Sequence, residues 1–408
     1  MGQLLVVLIV FLMIPLLSRF KINLSYILLT ACTILALLSG IGSEASLKAI
    51  SNTFTSFSSL NTILSVMMVG LLGGFMKHYK ILDKLVETTY KILPNKKIIL
   101  MVLPALMGTL IVPGGALLSA PFINEMGEEM KIPPPRRAAI NLVFRHIAMF
   151  ILPYSTGLLV VSAALPAISI SKLILLNLFF VVPITLAGYF LFIKDIEYDP
   201  GLKAKFSYRD LFTLLLYASP IYICLIINAL TGLPFFIALI FSILAVYLLC
   251  DKKQFFHALV KSLNHHTVLM IAAILIMKDL ILNLDELILL FTNLINGEIG
   301  MLSTLLVFLI SSVLFGIITG NQTAPLGIIL PMISQLKISP EMVYVYTYFT
   351  FACSFAGYFF SPIHLCQAFT LQHMKVETID LYKEYRLFAP VTFVVAFVSA
   401  YLIKYLLV

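Results

Sequence analysis

The run Gly316-Ile317-Ile318-Thr319-Gly320-Asn321-Gln322-Thr323-Ala324-Pro325 interrupts a long apolar stretch of the chain. A continuous apolar helix has no use for two amides, two hydroxyls and a glycine in its middle. Gly320 and Pro325 bracket a turn, and the whole stretch, about 301–336, is too long for one crossing of ~30 Å of hydrocarbon at ~1.5 Å per residue. A second stretch, about 98–130, breaks in the same manner at Pro113-Gly114-Gly115. Its arms of about 15 residues give roughly 22 Å of helix each, short of a full crossing. Lys96 and Lys97 precede it, and Lys131, Arg136 and Arg137 follow it, so both ends face one basic side. Each broken stretch reads as a re-entrant hairpin.

The composition around these hairpins excludes a water-soluble globule. Of 408 residues, 61% are apolar and 11% charged, against roughly 25% charged in soluble domains, and the mean hydropathy is +1.05. Such a chain would leave large apolar patches in water, whereas lipid needs no partner for them. Apolar runs long enough to span appear at about 3–19, 22–41, 60–78, 138–165, 171–193, 211–229, 234–250, 266–283, 342–366 and 386–408. The first lacks the basic start and small-residue cleavage site of a signal peptide and reads as a retained span. The net charge of +8 is not gathered into a basic, aromatic-laced module, so nucleic acid is not a partner; the lipid bilayer is. The five cysteines show no Cys-x-x-Cys spacing, which indicates neither a disulfide framework nor a thiolate zinc site.

Threading these runs with both termini outside a cell membrane, the inner membrane of a bacterial-type cell, gathers most of the 27 Lys and Arg on the cytoplasmic face. The chain also repeats itself. Ser59-Leu60-Asn61 recurs as Ser262-Leu263-Asn264, Leu82-Asp83-Lys84-Leu85 as Leu284-Asp285-Glu286-Leu287, Pro121 as Pro331 and Pro153 as Pro362, all at nearly constant offset. The expected fold is therefore an all-α polytopic membrane protein of two repeats, 1–193 and 211–408, joined by a cytoplasmic linker at 194–210. Each repeat has five transmembrane helices plus one re-entrant hairpin. Five is odd, so the second repeat enters from the opposite face and the repeats are inverted. Inverted repeats with broken helices are the build of secondary transporters. Amphipathic segments near 44–58, 79–93, 252–263 and 284–296 are expected at the interface.

The candidate chemistry sits at the breaks. At the second tip, Gly320, Asn321 and Thr323 with freed carbonyls suit Na⁺, and Gln322 suits a substrate; the plainer alternative is a polar turn at the surface. At the first tip, Gly114 and Gly115 offer close approach to backbone, and Ser119 follows; close helix packing is the alternative. In Asn141-Leu142-Val143-Phe144-Arg145-His146, Arg145 lies about 12 Å beyond Arg137 if helical. A guanidinium near mid-bilayer costs at least ~2.5–3.5 kcal/mol on insertion scales. No Asp or Glu lies at comparable depth in an unambiguous span, so an anionic substrate is the expected partner. A structural Arg bonded to hairpin carbonyls is the alternative. Asn141 and Ser155 are further substrate-binding candidates. His146 points about 100° away from Arg145 and is a proton-relay candidate, as is His364, which corresponds roughly to Ser155 after Pro153; packed, hydrogen-bonded histidines are the alternative.

Pro113-Gly114-Gly115, Asn141 to His146 and Thr319 to Pro325 resemble the ten-span membrane family called domain of unknown function 401. The two-halved plan resembles the ion transporter superfamily of divalent-anion/sodium symporters, gluconate and citrate permeases and sodium/proton antiporters. The resemblance implies an elevator transporter, often a homodimer, in which hairpins and broken helices move against a fixed scaffold. Divalent-anion symporters carry Ser-Asn-Thr at both tips; here the first tip has no Asn, which weakens the case for a second Na⁺ site. The resulting expectation is a symporter of a small organic or inorganic anion coupled to Na⁺ or H⁺, with no other cofactor and no resident metal beyond Na⁺ at Asn321 and Thr323. A lipid or polyprenyl-phosphate flippase and a cation/proton antiporter are the alternatives. No hydrolase motif is present, so an enzyme is not expected.

Overall fold

The computed structural model describes residues 2–20, 22–93, 95–109, 116–197, 207–250, 254–263, 265–296 and 301–408. They form helices, with no strand among them. Through the first half run α1 (Gln3–Arg19), α2 (Leu24–Leu38), α3 (Ser43–Thr55), α4 (Phe57–His78), α5 (Ile81–Ile92), α6 (Lys96–Gly108), α7 (Ala116–Glu129), α8 (Pro134–His146), α9 (Ala148–Ile151), α10 (Thr156–Ala164) and α11 (Ile170–Gly188). The second half supplies α12 (Tyr208–Thr231), α13 (Phe235–Leu249), α14 (Phe255–Ser262), α15 (His265–Ile281), α16 (Asp285–Asn296), α17 (Met301–Thr319), α18 (Thr323–Ser334), α19 (Pro340–Phe359), α20 (Leu365–Met374) and α21 (Thr378–Leu407). The centre of the 194–210 linker lies outside the described residues.

Six helical runs among the described residues are long and apolar enough to cross a membrane, or up to seven if the bent pair α14–α15 is one span. This is compatible with a multi-pass membrane protein. The outer faces agree. Leu8, Leu12, Leu16, Leu230, Leu248, Ile310 and Val394 are exposed, a surface that water would penalise by roughly 25 cal/mol per Å² and lipid would not. The four amphipathic segments are helical, as α3, α5, α14 and α16.

The packing falls into matching pairs. α2 lies on α15 as α4 lies on α13, and α3 on α15 as α14 on α4. α6 crosses α8 as α17 crosses α19, while α7 packs on α20 and α18 on α10. The first-arm crossings require glycine. A Cβ on Gly108 would run into the Arg145 carbonyl oxygen, and one on Gly316 would sit 2.7 Å from the Tyr358 amide nitrogen.

The two hairpins differ in a way the sequence reading misses. α6 and α7 have 13 and 14 residues, as expected of short arms. α17 has 19, about 28 Å of helix and close to a full crossing, and it is one of the six runs able to span. It continues helical through Gly316 and stops only where Gly320 takes a left-handed φ of 57°.

Candidate functional site

Pro134 occupies the first turn of α8, where its missing N–H costs nothing. Arg137 anchors that turn to the first hairpin: its guanidinium donates to Asn124 Oδ1 at 2.9 Å, Glu128 Oε1 at 2.9 Å and the Ile132 carbonyl at 2.7 Å. Gly127 makes room for it, since a Cβ there would meet Arg137 Cδ at 2.6 Å. α8 then runs inward to Arg145 and His146. Pro153 lies in the non-helical stretch between α9 and α10, where its missing N–H opposes a continuous helix. Ser155 is the N-cap of α10, its hydroxyl accepting from the Leu158 amide at 3.4 Å. The Tyr154 hydroxyl donates to the Thr109 carbonyl at 3.3 Å, so this break touches the first hairpin.

The second interruption is built the same way around Pro362. α19 ends at Phe359 and α20 begins after His364, its N-cap residue. The Ser361 hydroxyl donates to the Ile317 carbonyl at 2.6 Å. Gly320 is held against Ile363, where a Cβ would lie 3.0 Å from the Ile363 carbonyl oxygen. This break therefore touches the second hairpin.

Polar side chains stitch the two halves together between the breaks. Asn141, fully buried, accepts from Ser119 Oγ at 2.5 Å and donates to Thr370 Oγ1 at 3.1 Å, joining α7, α8 and α20. Gln322 donates to the Phe351 carbonyl at 3.3 Å, and its Oε1 would lie 3.1 Å from a Cβ on Gly157, at the start of α10. Asn321 and Thr323 mainly serve each other: Asn321 Oδ1 accepts from the Thr323 amide at 2.7 Å and hydroxyl at 2.6 Å, capping α18. Gly114 and Gly115 lie outside the described residues.

The charged centre is where α8 ends and α20 begins. Arg145 is buried and stands beside Cys366 and Tyr358. His146 Nδ1 lies 2.6 Å from the Leu142 carbonyl, which makes it the donor, and its Nε2 lies 3.4 Å from the Tyr358 hydroxyl. The His146 and His364 ring centroids are 4.9 Å apart. Cys366 adjoins both imidazoles. The 100° between Arg145 and His146 does not keep them from sharing a neighbour, because Cys366 adjoins both. Sequence reading passed over Cys366, having sought paired cysteines; the signal was the spacing His364-Leu365-Cys366. Among the described residues the buried His364 Nε2, Gln322 Oε1, both Gln367 amide atoms and the hydroxyls of Thr347, Thr350 and Ser354 make no hydrogen bond. Each such group costs about 1–3 kcal/mol when left unsatisfied, and these lie on α19, α20 and the second tip.

A bundle of apolar helices enclosing a polar seam between two interrupted helices is compatible with a multi-pass helical membrane protein. The family model described as "Protein of unknown function (DUF401)" matches residues 2–404. The chain belongs to that family. No curated protein matches it.

Proposed function

We propose that the protein is an elevator-type secondary active transporter of a small anion, driven by Na⁺ or H⁺. The observation that supports this best is the crosswise packing of the second hairpin arms: α7 on the broken helix of the second half, α18 on that of the first. Two five-span halves of inverted orientation would interlock in this manner, and exchanging their conformations would open a shared site alternately to each side. Both halves also follow one order of elements: two helices, an amphipathic helix, a third long helix, another amphipathic helix, a hairpin, a broken helix and a last long helix.

Within this reading Arg145 is the anion-binding residue, a planar fork suited to a carboxylate or an oxyanion, with Asn141 and Ser119 holding its helix in place. The oxygens of Gln322, Thr350 and Ser354 form the cation-binding side, since a hard cation takes oxygen ligands. Asn321 and Thr323 shape the tip. The test is uptake of labelled anions into proteoliposomes under an imposed Na⁺ or H⁺ gradient. Uptake is expected to need one of the gradients and to vanish in Arg145→Ala while the variant elutes from size exclusion as the wild type does. Gradient-independent uptake, or uptake retained by Arg145→Ala, contradicts the assignment.

A further inference from the structure

The cluster of His146, His364 and Cys366 has a property that anion transport does not call for. We propose that these three side chains bind one thiophilic divalent metal ion, with Zn²⁺ as the reference ion. His146 and His364 each direct Nδ1 to a backbone carbonyl, Leu142 at 2.6 Å and Phe359 at 3.4 Å. That arrangement fixes the proton on Nδ1 and leaves Nε2 the lone-pair nitrogen, as the outer-shell carbonyl does for metal-ligating histidines; the His146 Nε2 faces the Tyr358 hydroxyl at 3.4 Å, a contact the metal would replace. The His364 Nε2 is buried and makes no hydrogen bond. The ligand atoms of the three residues all lie within 4.8 Å of one another and all three residues are buried. A tetrahedral Zn²⁺ with bonds of about 2.0–2.3 Å sets its ligands roughly 3.3–3.8 Å apart, so rotation of these side chains by about 1 Å closes the site.

The backbone makes the convergence possible. His146 is the last residue of α8, and His364 caps α20 with Cys366 two residues on. The metal would thus clamp the end of one broken helix to the restart of the other. A bound thiolate carries negative charge, and Arg145 stands beside the Cys366 sulfur to balance it. Two imidazoles and one thiolate leave a fourth position for an exogenous ligand, and nitrogen–sulfur donor sets favour Zn²⁺ or Co²⁺ over Mg²⁺ or Ca²⁺. The inference does not rest on the transport reading.

The experiment is a Co²⁺ titration of the chelator-treated, detergent-purified full chain, followed by absorbance. The expected result is tetrahedral Co²⁺ bands with a thiolate-to-metal charge-transfer band, saturating at one ion per chain and displaced by Zn²⁺. Cys366→Ser should abolish the charge-transfer band, and His364→Asn should weaken binding by roughly tenfold or more. The quadruple variant Cys32→Ser, Cys224→Ser, Cys250→Ser, Cys353→Ser should keep the band. Wild-type protein lacking the band at stoichiometric Co²⁺, or Cys366→Ser retaining it, overturns the proposal. Because the wild-type spectrum alone can refute it, misfolding of a variant does not protect it.

Discussion

The two interrupted helices share a plan and differ in chemistry. In both, a proline lies in the gap between the two segments, an N-cap residue precedes the second, and a hairpin arm crosses the first segment at a glycine. Yet the first contributes its charged groups before the break, at Arg145 and His146, and the second contributes its groups after it, at His364 and Cys366. At the sequence offset that relates Pro153 to Pro362, Arg145 corresponds to Ser354 and Asn141 to Thr350. The two interrupted helices thus present similar frames, and the unlike side chains on them meet at one charged centre.

The difference extends to hydrogen bonding and gives graded ways to probe it. The largest effect is expected for Gly108→Ala, because the added methyl meets the Arg145 carbonyl and backbone opposes backbone. Overpacking costs typically about 1–3 kcal/mol and more where nothing yields, so thermal unfolding should occur well below the wild-type temperature. Gly316→Ala, with 2.7 Å to the Tyr358 nitrogen, should lower it less. If the order reverses, the first crossing is not the tighter one.

Asn141→Ala comes next. It strands Ser119 and Thr370, which it now joins at 2.5 and 3.1 Å, and should cost about 1–3 kcal/mol by the same measurement. Its counterpart Thr350→Val should leave stability unchanged or slightly raised, since the hydroxyl it removes makes no hydrogen bond, while impairing cation-driven uptake. A Thr350→Val protein with full uptake would remove α19 from the cation side. Gly70→Ala is the smallest: nothing lies within 4 Å of its Cβ position, and the helix-propensity gain is at most about 1 kcal/mol.

The breaks were legible because they violate a strong local pattern. Gly320-Asn321-Gln322, Pro153 and Pro362 each lie at an observed gap between helices, whereas Pro183, Pro220 and Pro390 stay inside helices and read the same way in sequence. The amphipathic segments were legible for the same reason. The length of α17 was not, since Gly316 reads as a breaker and yet continues the helix where it packs against Gly357. Nor was the meeting of His146 with Cys366, because residues so far apart in sequence share no periodicity and only the fold joins them. Arg145 was found by its cost in lipid, whereas its neighbours Tyr358 and Cys366 pass in sequence as ordinary apolar positions.

The inverted arrangement of the halves is the central claim, and the ends of the two hairpins test it directly. Lys131 follows α7 and Lys337 follows α18, and both are exposed. Single substitutions Lys131→Cys and Lys337→Cys, labelled with a membrane-impermeant maleimide in intact cells and in inside-out vesicles against wild-type protein as the blank, report the face of each. The account predicts opposite faces, with position 131 reactive only from the cytoplasmic side and position 337 only from the outer side. Labelling of both positions from the same side would contradict it.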